Sequence, residues 1–353
     1  MIIPDLTIVI PTLNEEQTLP FLLADLDRQQ GITCEVIVID GGSTDATCQL
    51  ATLAFDSGCL QGVCRPGPRG RGRQLNAGAA AAKAEWLLFL HADSRLHDVN
   101  LIQTALEFMR GHQQQLNSDA LAGRFALRFE ATEGKTGFGL YFYEVKASLG
   151  RPWCIHGDQG LLLPRSFFRS IGPFREDLPV MEDTSLAESI RTAGQWLLLP
   201  GEIVTSARRF QVEGLKARQT LNALMMNFFA IGWLEFFVRA SEIYRQQDRT
   251  QPLQMRPFFN LAKDLLGELP LRRRWAVWLA TGEYVRSQAW QIGLALDCHK
   301  AYRHGCRAVP EKRCWLNFFD RWFDPLTDHG LGHAMTALLV WIWFSWQLRG
   351  NAE

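Results

Sequence analysis

Trp86-Leu87-Leu88-Phe89-Leu90-His91-Ala92-Asp93-Ser94 is a short apolar run that stops at a histidine and an aspartate. A run of this kind, bounded by polar residues, suits a buried strand of a parallel sheet. Open α/β sheets place their ligands just beyond the carboxyl ends of the strands. His91 and Asp93 flank one alanine at such an end, where both side chains can face a bound cation or phosphate.

Upstream of this run, strand and helix signals alternate. Leu6–Pro11 predicts a strand, and Asn14-Glu15-Glu16 opens a helix with Leu19, Leu22, Leu23 and Leu26 on one face. Glu35–Ile39 predicts a second strand ending at Asp40, followed by the turn Gly41-Gly42-Ser43-Thr44-Asp45 and a helix over roughly Ala46–Phe55. Arg65, Arg69, Arg71 and Arg73, set among Pro66, Gly67, Pro68, Gly70 and Gly72, read as a loop leading to an alanine-rich helix, Gln74–Ala84. This βαβαβ order implies right-handed crossovers and a parallel sheet.

Downstream, Phe125, Leu127 and Phe129 alternate with Arg124, Ala126 and Arg128, which predicts a half-exposed strand over Gly123–Glu130, as in a mixed sheet. His156-Gly157-Asp158-Gln159-Gly160 forms a glycine-flanked loop before the strand-like Leu161–Leu163. Met181-Glu182-Asp183-Thr184-Ser185 opens a helix running to Ala193-Gly194. Beyond about residue 245 the pattern is helical and tryptophan-rich.

Composition narrows the classes. A chain of 353 residues exceeds what one core usually covers, so a main domain and a substantial appendage are expected. Lys+Arg and Asp+Glu each total 37, so charge balance points to no nucleic acid or other polyanionic partner. The eight cysteines are scattered, and neither Cys59-x4-Cys64 nor Cys298, Cys306 and Cys314 has zinc-module spacing. With no signal-peptide pattern at the N-terminus, a reduced, cytoplasmic setting is the simpler expectation. Leu221–Val238 contains Asn222, Asn227 and Glu235, and Ala334–Trp346 is shorter than the ~17 to 25 residues of a membrane span. Peripheral contact with the inner face of a plasma membrane stays open for both, beside plain burial.

Four segments together resemble the family 2 glycosyltransferases of the GT-A fold, over roughly residues 5–210. They are Pro11-Thr12-Leu13-Asn14-Glu15-Glu16, Val38-Ile39-Asp40-Gly41-Gly42-Ser43-Thr44-Asp45, Leu90-His91-Ala92-Asp93-Ser94 and Met181-Glu182-Asp183-Thr184. The chain is most similar to bacterial transferases that share the His-Ala-Asp and Gly-Asp-Gln-Gly segments. The resemblance implies an α/β fold, a mixed and mainly parallel sheet flanked by helices with a helical C-terminal extension. The expected division is a GT-A domain over 1–210, apolar helices over 211–245 and a helical extension over 246–353.

The resemblance also implies a nucleotide-diphospho-sugar donor, a hydroxyl acceptor that it does not name, and inversion at the anomeric carbon. Charge building on a leaving diphosphate calls for a divalent cation and arginines. Asp93, matching the last acid of the family's Asp-x-Asp motif, is the implied metal ligand. His91 stands where relatives carry the first acid, next to the metal or the ribose, and imidazole tilts the choice between Mg2+ and Mn2+ towards manganese. A strand-ending Asx turn is the plainer reading of Asp93.

Similarity assigns Asp40 to the nucleotide base, with Thr12, Asn14 and Glu15 shaping that pocket, whereas Asp45 reads as a turn or cap residue. Arg71 and Arg73 precede a helix and are candidates for phosphate, with a solvated basic loop as the alternative. Asp158 and His156 lie in the glycine-flanked loop, the former beside donor or acceptor, the latter a satisfied histidine or a further ligand. Arg208 and Arg209 match basic residues that relatives place near the diphosphate.

Asp183, beside Glu182, corresponds to the aspartate that takes the acceptor's proton in similar enzymes. Two neighbouring acids near a third should raise one pKa, as a base requires. Against this, Ser185-x-x-Glu188 resembles a capping box that would make the two acids helix decoration. A nucleotide-sugar-binding or scaffold protein without transfer activity is the competing function. A nucleotidyltransferase lacks its expected glycine-rich loop after the first strand, and Gly70-x-Gly72 is misplaced for a dinucleotide fingerprint.

Overall fold

The structure is a computed structural model of the full chain, described for residues 3–58, 60–130, 137–247, 251–306 and 308–349. Cys59 lies outside the described residues. The chain divides into two compact units, one of residues 1–136 and 146–206, the other of 137–145 and 207–353.

The first unit holds one eight-stranded sheet. Its strands are β1 (Leu6–Thr12), β2 (Cys34–Asp40), β3 (Gly62–Pro66), β4 (Trp86–Phe89), β5 (Ser94–Arg95), β6 (Leu121–Phe129), β7 (Leu161–Pro164) and β8 (Gln195–Thr205), in spatial order β3-β2-β1-β4-β7-β6-β8-β5. β2, β1 and β4 run parallel, as the alternating pattern predicts, and every residue of β1 and β4 is buried; β3, whose Arg65 and Pro66 the sequence pattern assigns to a loop, adds a further parallel strand beside β2. β7 is antiparallel to both β4 and β6, so the sheet is mixed.

Helices α1 (Leu19–Asp27), α2 (Thr47–Asp56), α3 (Arg71–Ala81) and α4 (Leu101–Leu116) occupy the connections of the first half. They cover a core in which Leu6, Ile8, Leu19, Leu22, Val36, Leu88 and Phe125 are fully enclosed. After α5 (Phe138–Ser148), which straddles the two units, come α6 (Arg165–Ile171) and α7 (Glu182–Ala193).

Three sequence expectations shift. Asn14-Glu15-Glu16 does not open the first helix, which starts only at Leu19. The backbone N–H groups of Asn14, Glu15 and Glu16 are instead taken by Ser43 Oγ (2.8 Å), Thr47 Oγ1 (2.8 Å) and Asp45 Oδ2 (3.2 Å). The alanine-rich helix starts at Arg71 rather than Gln74, so Arg71 and Arg73 stand in its first turn and not in a loop. Arg124 also departs from the half-exposed expectation: it is buried on β6 and donates to Ser148 O at 3.3 Å.

The second unit is helical: α8 (Arg208–Glu213), α9 (Leu215–Ala230), α10 (Glu235–Gln246), α11 (Arg256–Glu268), α12 (Leu271–Ser287), α13 (Trp290–Arg303), α14 (Cys314–Phe318), α15 (Asp324–Thr327) and α16 (Gly330–Arg349). Residues 221–238 are broken at Gly232 and bury Leu221, Leu224, Phe228, Phe236 and Phe237 within this unit. No described helix is long and apolar enough to cross a membrane.

Candidate active site

Parallel register brings the carboxyl ends of β1, β2 and β4 to one edge, where Thr12 pairs with Asp40. Because β7 runs against β4, with Phe89 opposite Leu161, the loop before β7 returns to that same edge. Residues 91 and 157–160 therefore meet although 66 positions separate His91 from Gly157.

The Thr12–Glu16 and Asp40–Thr47 loops close on each other. Asp40 Oδ1 accepts from the hydroxyls of Thr12 (3.0 Å) and Ser43 (2.5 Å), while Oδ2 accepts the N–H groups of Gly42 (3.0 Å) and Ser43 (2.8 Å). Burial raises the Asp40 pKa, but these bonds outweigh it and hold the carboxyl below its ordinary range. Asn14 Oδ1 accepts from Thr44 N at 2.9 Å, and Thr18 Oγ1 donates to Glu15 Oε2 at 2.7 Å. Asp45 accepts from Thr47 N at 3.1 Å, the turn role expected of it. Asp40, Asn14 and Glu15 are thus engaged within the chain's own loops.

Sequence reasoning missed Gln74. Its side-chain amide, buried against β1 and β2, donates to Thr12 O and Ile39 O, both at 2.8 Å. The only local signal was one polar residue on the inner face of an alanine- and glycine-rich helix.

A second cluster gathers around Arg71. Gly72 lets α3 approach α7: a Cβ there would lie 3.0 Å from Arg175 O and 3.4 Å from Glu182 Cγ. Arg71 Nε donates to buried Glu182 Oε1, and its Nη2 stands 3.5 Å from Asp183 Oδ2. Met181, in the left-handed region at φ 71°, turns the chain so that Glu182 and Asp183 open α7. For a bulky side chain that conformation is costly and marks a site fixed by its surroundings. Arg73, by contrast, reaches towards exposed Glu176 at 3.9 Å.

Asp183 Oδ2 accepts the Gly157 N–H at 2.8 Å, and a Cβ on Gly157 would lie 2.8 Å from His91 Nε2 and 3.1 Å from Asp183 Oδ2. His91, Gly157 and Asp183 therefore converge. Asp158 joins them through charge, with one carboxylate oxygen, Oδ1, buried and without a hydrogen-bond partner among the described residues. Burial, then the Asp183 and Asp93 carboxylates, push Asp158 up to about 7. Asp183 goes the other way. Burial works to raise it, but Arg71, His156, the Gly157 N–H and His91 together bring it down to about 2. Burial also holds His156 down to about 4, so it is neutral at pH 7.

The expectation that crowding raises a carboxyl here is correct, and the group it falls on is different. Burial raises Glu182, and Asp158 rises furthest, while Asp183, beside a cation, stays ionised. Nor does Ser185-x-x-Glu188 form a capping box. Ser185 is already inside α7, its N–H bonded to Met181 O at 2.9 Å, and Glu188 accepts from Trp153 N at 3.1 Å.

Asp93 follows β4 in a turn closed by Ser94 N to His91 O at 3.1 Å, and no Asx-turn bond to its carboxylate is present. No group of three or more His, Cys, Asp or Glu side chains among the described residues is preassembled as a metal cage. Arg208 and Arg209 begin α8, in the second unit.

Residues 7–172 match the family described as glycosyl transferase family 2. A PGL/p-HBAD biosynthesis glycosyltransferase of Mycobacterium bovis is 30% identical over 184 residues, covering 52% of this chain and 68% of the relative. The succinoglycan biosynthesis protein ExoO of Rhizobium meliloti is 33% identical over 91 residues, 26% of each chain. The solved mannosyltransferase PcManGT from Pyrobaculum calidifontis, in complex with GDP-Man and Mn2+, shares the fold with a TM-score of 0.50 at 16% identity, over 99% of this chain and 88% of its own. The chain belongs to glycosyltransferase family 2 and is a GT-A glycosyltransferase.

Proposed function

We propose that the enzyme moves a sugar from a nucleotide-diphospho-sugar to a hydroxyl acceptor with inversion, at the point where His91, Gly157 and Asp183 converge. That convergence is the observation that carries the reading: the missing Cβ of Gly157 lets an ionised carboxylate and an imidazole from distant loops approach one another. Asp183 is the group that takes the acceptor's proton. Glu182 sits under Arg71 and acts by holding it in place.

A carboxylate at about 2 is a weak base while it is paired with Arg71. Guanidinium binds diphosphate oxygens bidentately, so an arriving donor competes with Asp183 for Arg71. Loss of that partner raises the basicity of Asp183 only when the donor is in place, which protects the site from idle proton transfer. Arg71 would thus serve the leaving group and gate the base. Arg73 is the candidate for the outer diphosphate contacts, and Thr12, Asn14, Glu15 and Asp40 for the base pocket.

The described residues form no ready cage for a cation, and what supports one is the oxygen chemistry of the acids at this edge. Asp93 has no Asx-turn bond, and the unpartnered Asp158 oxygen lies in the same negative field. Asp93, with His91 and Asp158, would hold Mn2+ or Mg2+ through oxygen and imidazole donors. Such an ion, when bound, supplies charge neutralisation for the departing diphosphate.

Thermal-shift titration with UDP- and GDP-sugars, with and without Mn2+, tests the binding half. Metal-dependent stabilisation that Asp93→Ala abolishes is expected; no response to any nucleotide sugar would remove the proposal. For the chemistry, Asp183→Asn should keep donor-induced stabilisation while slowing donor turnover by at least ~100-fold. Unchanged turnover in that variant would dismiss Asp183 as the base. A scaffold protein would instead bind donor and show no turnover in the unaltered chain.

A further inference from the structure

The second unit exposes more apolar surface than its own packing uses. In α16, which has 20 residues, only Ala337 and Phe344 are buried. Leu331, Met335, Leu339, Ile342 and Trp346 stand in water at intervals of three or four residues, with Leu339 65% exposed. Adding Leu338, Trp341 and Trp343, the exposed apolar side chains span an arc of about 200° at 100° per residue.

Helix α12 lies antiparallel beside it. The Trp278 ring is 5.6 Å from that of Phe344, and a Cβ on Gly282 would come within 2.7 Å of Ala337 Cβ. α12 adds a stripe of its own, Leu271, Trp275 and Leu279, at i, i+4 and i+8, with Trp275 68% exposed. This register sets the first turn of α12 beside the last turn of α16. Exposed Arg272, Arg273 and Arg349 consequently share one end of the hairpin with Trp275 and Trp346.

We propose that α16, backed by α12 on its opposite side, docks on an anionic phospholipid surface with its axis in the plane of that surface. Soluble monomers seldom leave contiguous apolar patches beyond a few hundred Å2 without a partner. A protein partner would cover one stripe of α16, whereas fluid acyl chains can cover an arc wider than half the helix. The charge pattern selects the headgroup: α16 carries no acidic residue, α12 carries only Glu283, and the arginines cluster at the tryptophan end. Tryptophan and arginine together are the side chains that settle at the headgroup level.

Flotation of the full chain with phosphatidylcholine vesicles, with and without phosphatidylglycerol, reads this directly. Binding to the phosphatidylglycerol vesicles is expected, weakening as salt is added. Arg272→Ala with Arg273→Ala should weaken partitioning about thirtyfold at low salt. Leu339→Glu with Ile342→Glu should abolish binding to the phosphatidylglycerol vesicles. Both leucine and isoleucine are exposed, so an unchanged melting temperature is expected and shows that the variant folds. The proposal is overturned if the unaltered chain ignores anionic vesicles, or if the Glu variant still binds them. It is equally overturned if light scattering finds a dimer that the Glu variant dissociates, since the face would then join two copies of the chain.

Discussion

Asp40, at the end of β2, and Asp158, in the turn before β7, lie at one edge of the sheet with β1 and β4 between their strands, and they behave in opposite ways. Asp40 spends both oxygens on four donors from its own loops and stays ionised well below its ordinary range. Asp158 keeps a buried oxygen without a partner and, crowded by Asp183 and Asp93, rises to about 7. The difference separates a carboxylate that shapes a loop from one left open to a cation or a proton. A satisfied carboxylate fixes a loop, whereas an unsatisfied one among like charges stores free energy that a cation or a proton can release.

The comparison breaks most visibly at the arginine that compensates the crowded side. Arg71→Ala leaves Glu182 and Asp183 without their cation, and should cost about 3 to 5 kcal/mol in urea unfolding of the first unit. A loss below ~1 kcal/mol would mean that water, not Arg71, neutralises the cluster. On the satisfied side, Asp40→Ala strips acceptors from two hydroxyls and two N–H groups and should cost about 2 kcal/mol. Proteolysis between residues 41 and 47 would reveal the loop it releases.

The two aspartates should also answer pH with opposite signs. Asp158 is raised from its ordinary 3.8, so its contribution is complete below about pH 4 and is lost as pH rises to about 7. Asp40 is lowered, so its contribution is present above about pH 4 and disappears as the solution is acidified below that. With EDTA present, Asp158→Asn should flatten the pH 4–7 limb, which can slope by up to about 1.4 kcal/mol per unit. An unaltered limb would show that Asp158 is solvated. The smallest expected effect is Asp45→Ala, about 1 kcal/mol for the partly exposed bonds it accepts from Glu16 N, Thr47 N and Thr47 Oγ1, read as a shift in melting temperature of a few degrees.

Much of the satisfied side was legible in the sequence. Apolar runs ending at Thr12, Asp40 and His91 announce parallel strands, and the Gly41–Asp45 turn announces its own closure. What was not legible is what distant loops do to one another. Asn14–Glu16 looks like a helix start until the side chains of Ser43, Thr47 and Asp45 take its N–H groups and hold it as a loop. The crowded side was visible only as residue types. Asp158, Glu182 and Asp183 were identifiable as acids, but their charge states depend on Arg71, which no local pattern ties to them. The capping-box reading of Ser185 and Glu188 failed for the same reason: Trp153, thirty-five positions from Glu188, claims its carboxylate.

Gln74 has a consequence in time. By clamping α3 to Thr12 and Ile39, it can set Arg71 at its final height once the first three strands have paired. The partners of Arg71 arrive 111 residues later in the chain. At about 5 to 20 residues per second, a ribosome holds that guanidinium ready for roughly 6 to 20 seconds before Glu182 is made. Until then Arg71 lacks the two carboxylates that sit against it in the finished domain. Nascent chains arrested before residue 182 should bind nucleoside diphosphate through Arg71, and Arg71→Ala in the same arrested chain should not.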